Sequence, residues 1–189
     1  MDNLKEFLLQ TDTRLFKFIN VTLHNEPFAE IIKFAANDVF LAAFVFGGAA
    51  FLIKKNTLRK RINIAFALWA IIITHIINSD ILKNIFKRPR PPQELENIYF
   101  LVNMRCMNYA FPSTHTAMAA ALAAVLWQDN KNLRPYLALF TAGIGFFCVY
   151  TGGHYPFDVL AGLVVGIFSG CILNIIKNKA KKHYGAKNE

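Results

Sequence analysis

The segment Gly152-Gly153-His154-Tyr155-Pro156-Phe157-Asp158 separates two long apolar runs and carries a histidine and an aspartate four residues apart. Because proline is well suited to the first position of a helix, Pro156 predicts that a helix begins here. The side chains of His154 and Asp158 could then meet across its first turn. A carboxylate that binds one imidazole nitrogen fixes the tautomer and leaves the other nitrogen free as a base or a nucleophile. Two residues solvated at a membrane surface would look the same, so this segment needs support from the rest of the chain.

The composition indicates one compact membrane domain. Of the 189 residues 54% are hydrophobic, the mean hydropathy is +0.32, and the apolar residues come in long blocks. These blocks predict five spanning helices, over about 31–53, 62–81, 113–127, 135–151 and 157–176. Residues 3–23 mix apolar and charged side chains in the pattern of an amphipathic helix that lies in the membrane interface. We therefore expect an all-α polytopic bundle with an N-terminal interfacial helix (1–27), a membrane domain (28–178) and a basic cytoplasmic tail (179–189).

Basic residues orient the predicted spans. They follow the first, third and fifth spans, as Lys54, Lys55, Arg59, Lys60 and Arg61, then Lys131 and Arg134, and finally Lys177, Lys179, Lys181, Lys182 and Lys187. Because basic loops stay in the cytoplasm, the loop 81–111 and the turn 151–157 are expected on the opposite side. This distribution also explains the net charge of +9, so the charge does not require nucleic acid as a partner.

A basic cluster falls on the predicted outer side, where the charge rule does not expect one. It comprises Lys83, Lys87, Arg88 and Arg90, directly ahead of Pro91. One interpretation is a basic rim that contacts lipid headgroups. The other is a phosphate clamp, since arginine offers a planar fork of donors and lysine a point charge.

The stretch Pro112-Ser113-Thr114-His115 lies on the same side, directly ahead of alanine-rich helical sequence. Ser113 predicts an N-cap, and the first amides of a helix form a ready anion site. His115 would lie in the first turn, placed to give a proton to a leaving oxygen. The alternative is an ordinary capped helix with an incidental interfacial histidine. Taken with His154 and Asp158, the three clusters supply what phosphoryl transfer to histidine requires.

The three clusters resemble the motifs of the type-2 phosphatidic acid phosphatase superfamily, which are Lys-x6-Arg-Pro, Pro-Ser-Gly-His and Ser-Arg-x5-His-x3-Asp. The first motif is intact here, from Lys83 to Arg90-Pro91. The second has Thr114 where glycine is usual. The third keeps its histidine and aspartate but has Phe147-Cys148 in place of Ser-Arg. The resemblance extends over about residues 15–176.

The resemblance implies a metal-independent phosphatase without a cofactor. By analogy His154 attacks phosphorus, Asp158 orients it, and His115 protonates the leaving group, after which water cleaves the phosphohistidine. The phosphate oxygens would be held by Lys83, Arg90, Ser113 and Thr114. The cysteines Cys106, Cys148 and Cys171 are odd in number and lack metal-type spacing, so the residues themselves suggest no metal site.

Cys148 is the departure from the family pattern with the largest consequence. A cysteine cannot supply a fork of charged donors, and losing a charge-assisted contact commonly costs roughly 1.5–3 kcal/mol. We expect a nearby cation to compensate, with Arg88, Lys87 and Arg105 as the candidates. A slow enzyme or a degenerate, non-catalytic lipid-binding member is the alternative.

The basic loops put the site on the side away from the cytoplasm, which would be the periplasm or exterior of a bacterial inner membrane. An amphiphile's phosphate can reach it there, so the expected substrate is a lipid phosphate or diphosphate. Undecaprenyl pyrophosphate, phosphatidylglycerophosphate, phosphatidic acid and lipid A phosphates all fit, and the small chain without an extra domain favours undecaprenyl pyrophosphate. Residues 92–111 are expected to form a lid that selects the headgroup. A phosphotransferase with the same histidine chemistry is a further alternative, and so is a small transporter. The transporter would use polar residues inside the spans, which are Asn37, Asp38, His75, Asn78 and Asp80.

Overall fold

The structure is a computed structural model, and it describes residues 2–35, 58–101, 109–128 and 131–185. Within these ranges all regular secondary structure is helical. The N-terminal part contains α1 (Asp2–Lys17), a π-helical extension (Phe18–Thr22) and α2 (Glu26–Ala35). The middle part contains α3 (Leu58–Ile76), a second π-helical extension (Ile77–Leu82), α4 (Lys83–Phe86) and α5 (Pro91–Glu94). The last part contains α6 (Thr114–Leu126), a 3-10 turn (Lys131–Leu133), α7 (Arg134–Tyr150) and α8 (Pro156–Gly185).

Among the residues that the structure describes, three helical stretches are long and apolar enough to cross a membrane: Arg61–Glu94, Lys131–Tyr150 and Pro156–Lys182. They correspond to the second, fourth and fifth predicted spans. Large apolar side chains such as Trp69, Leu139 and Phe168 are exposed on their outer surfaces, as expected for helices that face lipid. The prediction of an all-α membrane bundle is thus confirmed. The first predicted span, 31–53, lies mostly outside the described residues.

Helix α6 forms the centre of the bundle and corresponds to the third predicted span. It has only 13 residues, and most of its alanines are buried. It packs backbone against backbone on α8, which presents small residues at Gly162, Gly166 and Gly170. A Cβ atom at Gly166 would lie 2.2 Å from the carbonyl oxygen of Ala117, so the two helices approach as closely as glycine allows. The Ser113 amide donates to the Asp158 carbonyl oxygen over 2.9 Å, which holds the start of α6 against the first turn of α8.

The helices α6, α7 and α8 alternate in direction, so the two ends of the bundle differ. At the end remote from residues 151–155, the buried Lys177 ammonium donates to the Val125 carbonyl oxygen. At the same end, Arg134 donates to the Trp127 carbonyl oxygen over 2.9 Å. The basic residues of the α6–α7 connection and of the last turns of α8 therefore share one end. The histidine-bearing turn lies at the other end.

The N-terminal helix docks on the end that carries this turn. Its residues Asp12, Phe16 and Asn20 are completely buried, whereas Leu4 and Phe7 are exposed. The Asn20 side chain donates to the carbonyl oxygens of Tyr99 and Tyr150, over 2.7 and 2.8 Å. One face thus binds the bundle and another presents apolar side chains outward, which suits a helix at a membrane interface. The chain division at residues 27 and 178 stays a prediction.

Candidate active site

His154 lies in the turn between α7 and α8, with only 4% of its surface exposed. Its amide donates to the Cys148 carbonyl oxygen over 3.1 Å, which closes the turn. Gly152 has a φ of 82°, and a Cβ atom there would lie 2.4 Å from the Tyr99 carbonyl oxygen. Glycine is therefore required at this point, both for the backbone angle and for the close approach. These constraints hold the imidazole inside the protein.

The two ring nitrogens of His154 face groups of opposite charge. Nδ1 lies 3.7 Å from Asp158 Oδ2, and Nε2 lies 3.3 Å from Arg90 Nη1. The helix does begin at Pro156, so the predicted approach across the first turn is found, although 3.7 Å is too long for a hydrogen bond. The ring must move by roughly 1 Å to make one. Nε2 is thus the ring nitrogen that faces away from the carboxylate and towards the guanidinium.

Burial lowers the pKa of His154 to about 4, because an imidazolium loses its hydration there. Asp158 opposes this shift, and the positive charge of Arg90 adds to it. The ring is therefore neutral at neutral pH. A neutral imidazole is the form that can act as a nucleophile.

Two buried cations accompany His154. Arg90 is 7% exposed, and its Nη1 also donates to the Gly153 carbonyl oxygen over 2.9 Å. Lys83 is 2% exposed and begins α4, directly after the π-helical extension. Buried basic side chains are suited to bind a phosphate, because charge-assisted hydrogen bonds are stronger than those between neutral groups. The role of both residues in phosphate binding stays a prediction.

Arg88 forms a bridge between two carboxylates. Its guanidinium donates to Asp158 Oδ1 and to Asp12 Oδ2, each over 2.7 Å, and lies 4.1 Å from the centroid of the Tyr155 ring. Asp12 Oδ1 also accepts the Phe157 amide over 2.9 Å. Burial raises the pKa of Asp12, and its bonds to Phe157 and Arg88 oppose this shift. Arg88, one candidate replacement for the missing arginine, is thus engaged by two carboxylates.

Asp12 was not identified from the sequence. A lone aspartate on an amphipathic helix is indistinguishable from a residue of the solvated face, and only the docking of α1 brings it to the site. Of the two other candidate cations, the structure describes Lys87 alone. Lys87 is exposed and follows α4 with a φ of 49°, and Arg105 lies outside the described residues.

The start of α6 surrounds Cys148 with hydroxyl groups. Ser113 occupies the predicted N-cap position, but its hydroxyl bonds Thr116 Oγ1 over 3.1 Å rather than a backbone amide. Both hydroxyls face the buried Cys148 sulfur, at 3.7 and 4.0 Å. The Thr114 hydroxyl accepts a bond from Asn78 over 2.8 Å, and His115 is exposed in the first helical turn. The motif thus places its side chains in three different environments.

The polar residues of the second predicted span do not share one environment. Asn78 is fully buried and also donates to the Pro112 carbonyl oxygen over 2.9 Å, which fastens the start of α6 to α3. His75 and Asp80 are exposed. Asn78 therefore has a structural role that does not require a transport path.

The described part of the predicted lid is fastened to the turn. Leu101 donates its amide to the Thr151 carbonyl oxygen over 3.0 Å, and the Tyr99 amide donates to Asn20 Oδ1 over 2.9 Å. The segment therefore borders the site, while residues 102–108 lie outside the description. In the described ranges no three histidine, cysteine, aspartate or glutamate side chains group so that they could hold a metal ion.

Comparisons with known proteins agree with this architecture. The model of the PAP2 superfamily matches residues 63–182. The chain is 27% identical over 185 residues to a lipid A 4'-phosphatase of Bacteroides thetaiotaomicron. The alignment covers 92% of this chain and 80% of that protein. It is 27% identical over 159 residues to undecaprenyl-diphosphatase BcrC of Bacillus subtilis, covering 82% of this chain and 79% of the relative.

Two solved structures share the fold. LpxE from Aquifex aeolicus superimposes with a TM-score of 0.69 at 29% identity, covering 85% of this chain and 93% of that one. A transmembrane PAP2-type phosphatidylglycerolphosphate phosphatase from Bacillus subtilis gives 0.69 at 20% identity, covering 91% and 87%. Since the family model also spans more than half of the sequence, the chain is an integral membrane member of the PAP2 superfamily.

Proposed function

We propose that this protein is a membrane phosphatase that hydrolyses a lipid phosphate or diphosphate through a phosphohistidine on His154. The observation that carries the proposal is the buried, neutral imidazole whose Nδ1 faces Asp158 and whose Nε2 faces Arg90. The phosphatase names of the two bacterial relatives support the reaction class and the lipid substrate.

The reaction would proceed in two steps. Nε2 of His154 attacks phosphorus, the bond from phosphorus to the leaving oxygen breaks, and His115 gives its proton to that oxygen. Asp158 stabilises the positive charge of the modified ring, while Arg90 and Lys83 neutralise the phosphoryl oxygens. Water then attacks the same phosphorus, the phosphorus–nitrogen bond breaks, and the proton of the water returns to His115. The products are the dephosphorylated lipid and inorganic phosphate.

The position of His115 suits a proton donor to a departing group. Its side chain is exposed in the first turn of α6, next to residues that are buried in the site. The bond from Ser113 to the Asp158 carbonyl oxygen ties that turn to the start of α8. The proposal puts the proton donor at the opening of the site, where the lipid would leave.

Phosphate binding in this chain would depend on Arg90 and Lys83, without the arginine that the family carries at position 148. Arg88 does not replace that arginine, because both arms of its guanidinium bind carboxylates. The hydroxyls of Ser113 and Thr116 donate to the Cys148 sulfur, so the place of the missing arginine is taken by a neutral, mutually bonded group.

We place the protein in the bacterial inner membrane with the site facing away from the cytoplasm. Basic residues gather at the opposite end of the bundle, which the positive-inside rule assigns to the cytoplasm. The exposed Leu4 and Phe7 of α1 lie at the end that carries the site. An amphiphile could therefore keep its tails in lipid while its phosphate reaches His154.

The test is phosphate release by the purified protein from four lipid classes: undecaprenyl pyrophosphate, lipid A phosphates, phosphatidylglycerophosphate and phosphatidic acid. A chelator is present throughout, and activity in its presence is expected. His154→Ala should reduce release to background while the protein remains folded in detergent, and His75→Ala serves as the matched control. Labelled phosphate should be trapped on the wild-type protein as an acid-labile, alkali-stable adduct. Substantial turnover by folded His154→Ala would exclude His154 as the nucleophile, and a phosphorylated acceptor in place of free phosphate would identify a phosphotransferase.

A further inference from the structure

We propose that Asp12 in the N-terminal helix is a positioning residue for His154 that acts through Arg88 and Asp158. The proposal rests on the proposed function, because it concerns the orientation of the nucleophile. It assigns the amphipathic helix a role in the reaction, in addition to its contact with the membrane interface.

The bridge by Arg88 divides the oxygens of Asp158 between two tasks. Arg88 Nη1 takes Oδ1 at 2.7 Å. Oδ2 accepts the Tyr155 amide at 2.8 Å and is the oxygen that faces His154 Nδ1 at 3.7 Å. The contact between Asp158 Oδ2 and His154 Nδ1 therefore requires that Arg88 does not also bind Oδ2.

Asp12 prevents Arg88 from binding Asp158 Oδ2. Arginine prefers to bind a carboxylate with both arms of its fork. Here the second arm, Nη2, is bound by Asp12 Oδ2 at 2.7 Å. Without this partner, the guanidinium would be free to turn both arms to Asp158 and to draw Oδ2 away from the imidazole. The loss of one negative charge would also weaken the stabilisation of positive charge on the ring.

The surroundings fix this arrangement. Asp12 and Asp158 are both fully buried, so neither carboxylate can exchange the guanidinium for water. Asp12 Oδ1 is held by the Phe157 amide in the first turn of α8. The Tyr155 ring covers one face of Arg88 at 4.1 Å, and its hydroxyl donates to Glu94 Oε2 over 2.9 Å. The docked position of α1 and the geometry of the turn that carries His154 are thereby coupled.

The principal test is Asp12→Asn in the full chain, assayed on the lipid that the wild type hydrolyses best. The amide keeps a carbonyl oxygen for the Phe157 amide and places its NH2 group where Oδ2 accepted from Arg88, so both the charge and the acceptor that hold Arg88 are lost. We expect kcat to fall about 10- to 100-fold, the effect of a displacement of roughly 1 Å at the reacting groups. KM should change less than about threefold, because Arg90 and Lys83 still bind phosphate. The matched control is Glu6→Gln on the same helix, an exposed carboxylate whose only described bond is to Gln10, and it should retain wild-type kcat.

A double-mutant cycle with Arg88→Gln separates positioning from a merely structural role. If Asp12 acts through Arg88, Asp12→Asn should change kcat less than about twofold in the Arg88→Gln background. The comparison within the Arg88→Gln background involves no buried guanidinium that has lost a partner. If Asp12→Asn alone does not fold, a large effect of Asp12→Asn on kcat in that background would still overturn the proposal. Additive losses in the cycle, an effect confined to KM, or wild-type kcat in Asp12→Asn would overturn the proposal. If His154→Ala retains activity, the proposed function fails; if only Asp12→Asn behaves like wild type, this inference alone fails.

Discussion

Acidification provides the most direct test of the environment described for His154. Its buried ring has a pKa lowered to about 4, whereas an ordinary histidine titrates near 6.5. Because the pKa is lowered, the neutral and reactive form is present above that value and is lost only as the pH falls through about 4. The nucleophile should therefore remain active in mildly acidic solution.

The expected difference is large enough to measure. A shift from 6.5 to about 4 corresponds to about 3 kcal/mol between the two protonation states. At pH 5 about 90% of His154 would be neutral, against about 3% of a solvent-exposed histidine. If no other group intervened, kcat/KM at pH 5 would thus be about 30-fold higher than for an exposed nucleophile.

The assay combines a direct titration with kinetics. The chain has five histidines, so carbon-13-labelled imidazoles in detergent give few resonances, and His154→Ala assigns the relevant one. The pH profile of kcat/KM is then compared with this titration, because the substrate phosphate itself titrates near pH 6. A His154 resonance that titrates near pH 6.5 would refute the reasoning, since it would show that the ring is solvated.

Three further predictions concern packing, charge and metal. Gly166→Ala should lower the melting temperature by several degrees, because its Cβ would meet the Ala117 carbonyl oxygen at 2.2 Å. The control Gly143→Ala should leave the melting temperature unchanged, since its Cβ meets nothing within 4 Å. Equal melting temperatures of the two variants would contradict the close α6–α8 contact. Cys148→Arg should raise kcat/KM by about 10- to 100-fold by adding a charge-assisted phosphate contact, while Cys148→Ser should change it little. Unchanged or lower turnover of folded Cys148→Arg would show that the pocket has been rebuilt around the cysteine. Removal of divalent metals by a chelator should leave phosphate release unchanged, and a loss that added metal restores would exclude the metal-independent route.

Local signals in the sequence were sufficient for the fold class and for much of the site. Apolar blocks predict spanning helices because lipid requires every backbone polar group to be bonded within the segment, and a helix satisfies that condition by itself. The start of α8 at Pro156 and the approach of His154 to Asp158 also follow from the sequence, since proline is suited to the first position of a helix and Asp158 lies in the first turn after His154. The glycines of α8 recur every four residues, a spacing typical of close helix contacts, and α6 makes such a contact.

Other features depended on contacts between distant parts of the chain. Arg88 and Arg90 are equivalent candidates in the sequence, yet Arg90 faces His154 while Arg88 binds Asp158 and Asp12. The difference arises because residues two apart around a proline point in different directions, which spacing alone does not resolve.

The sequence by itself therefore determined a helical membrane protein of the PAP2 superfamily with its motif residues at one end. Only the tertiary structure decided which cation meets which carboxylate, and that Asp12 of the N-terminal helix joins the site. The physical reason is that helix periodicity is a property of neighbouring residues, whereas the docking of α1 depends on buried surfaces contributed by segments far apart in the chain.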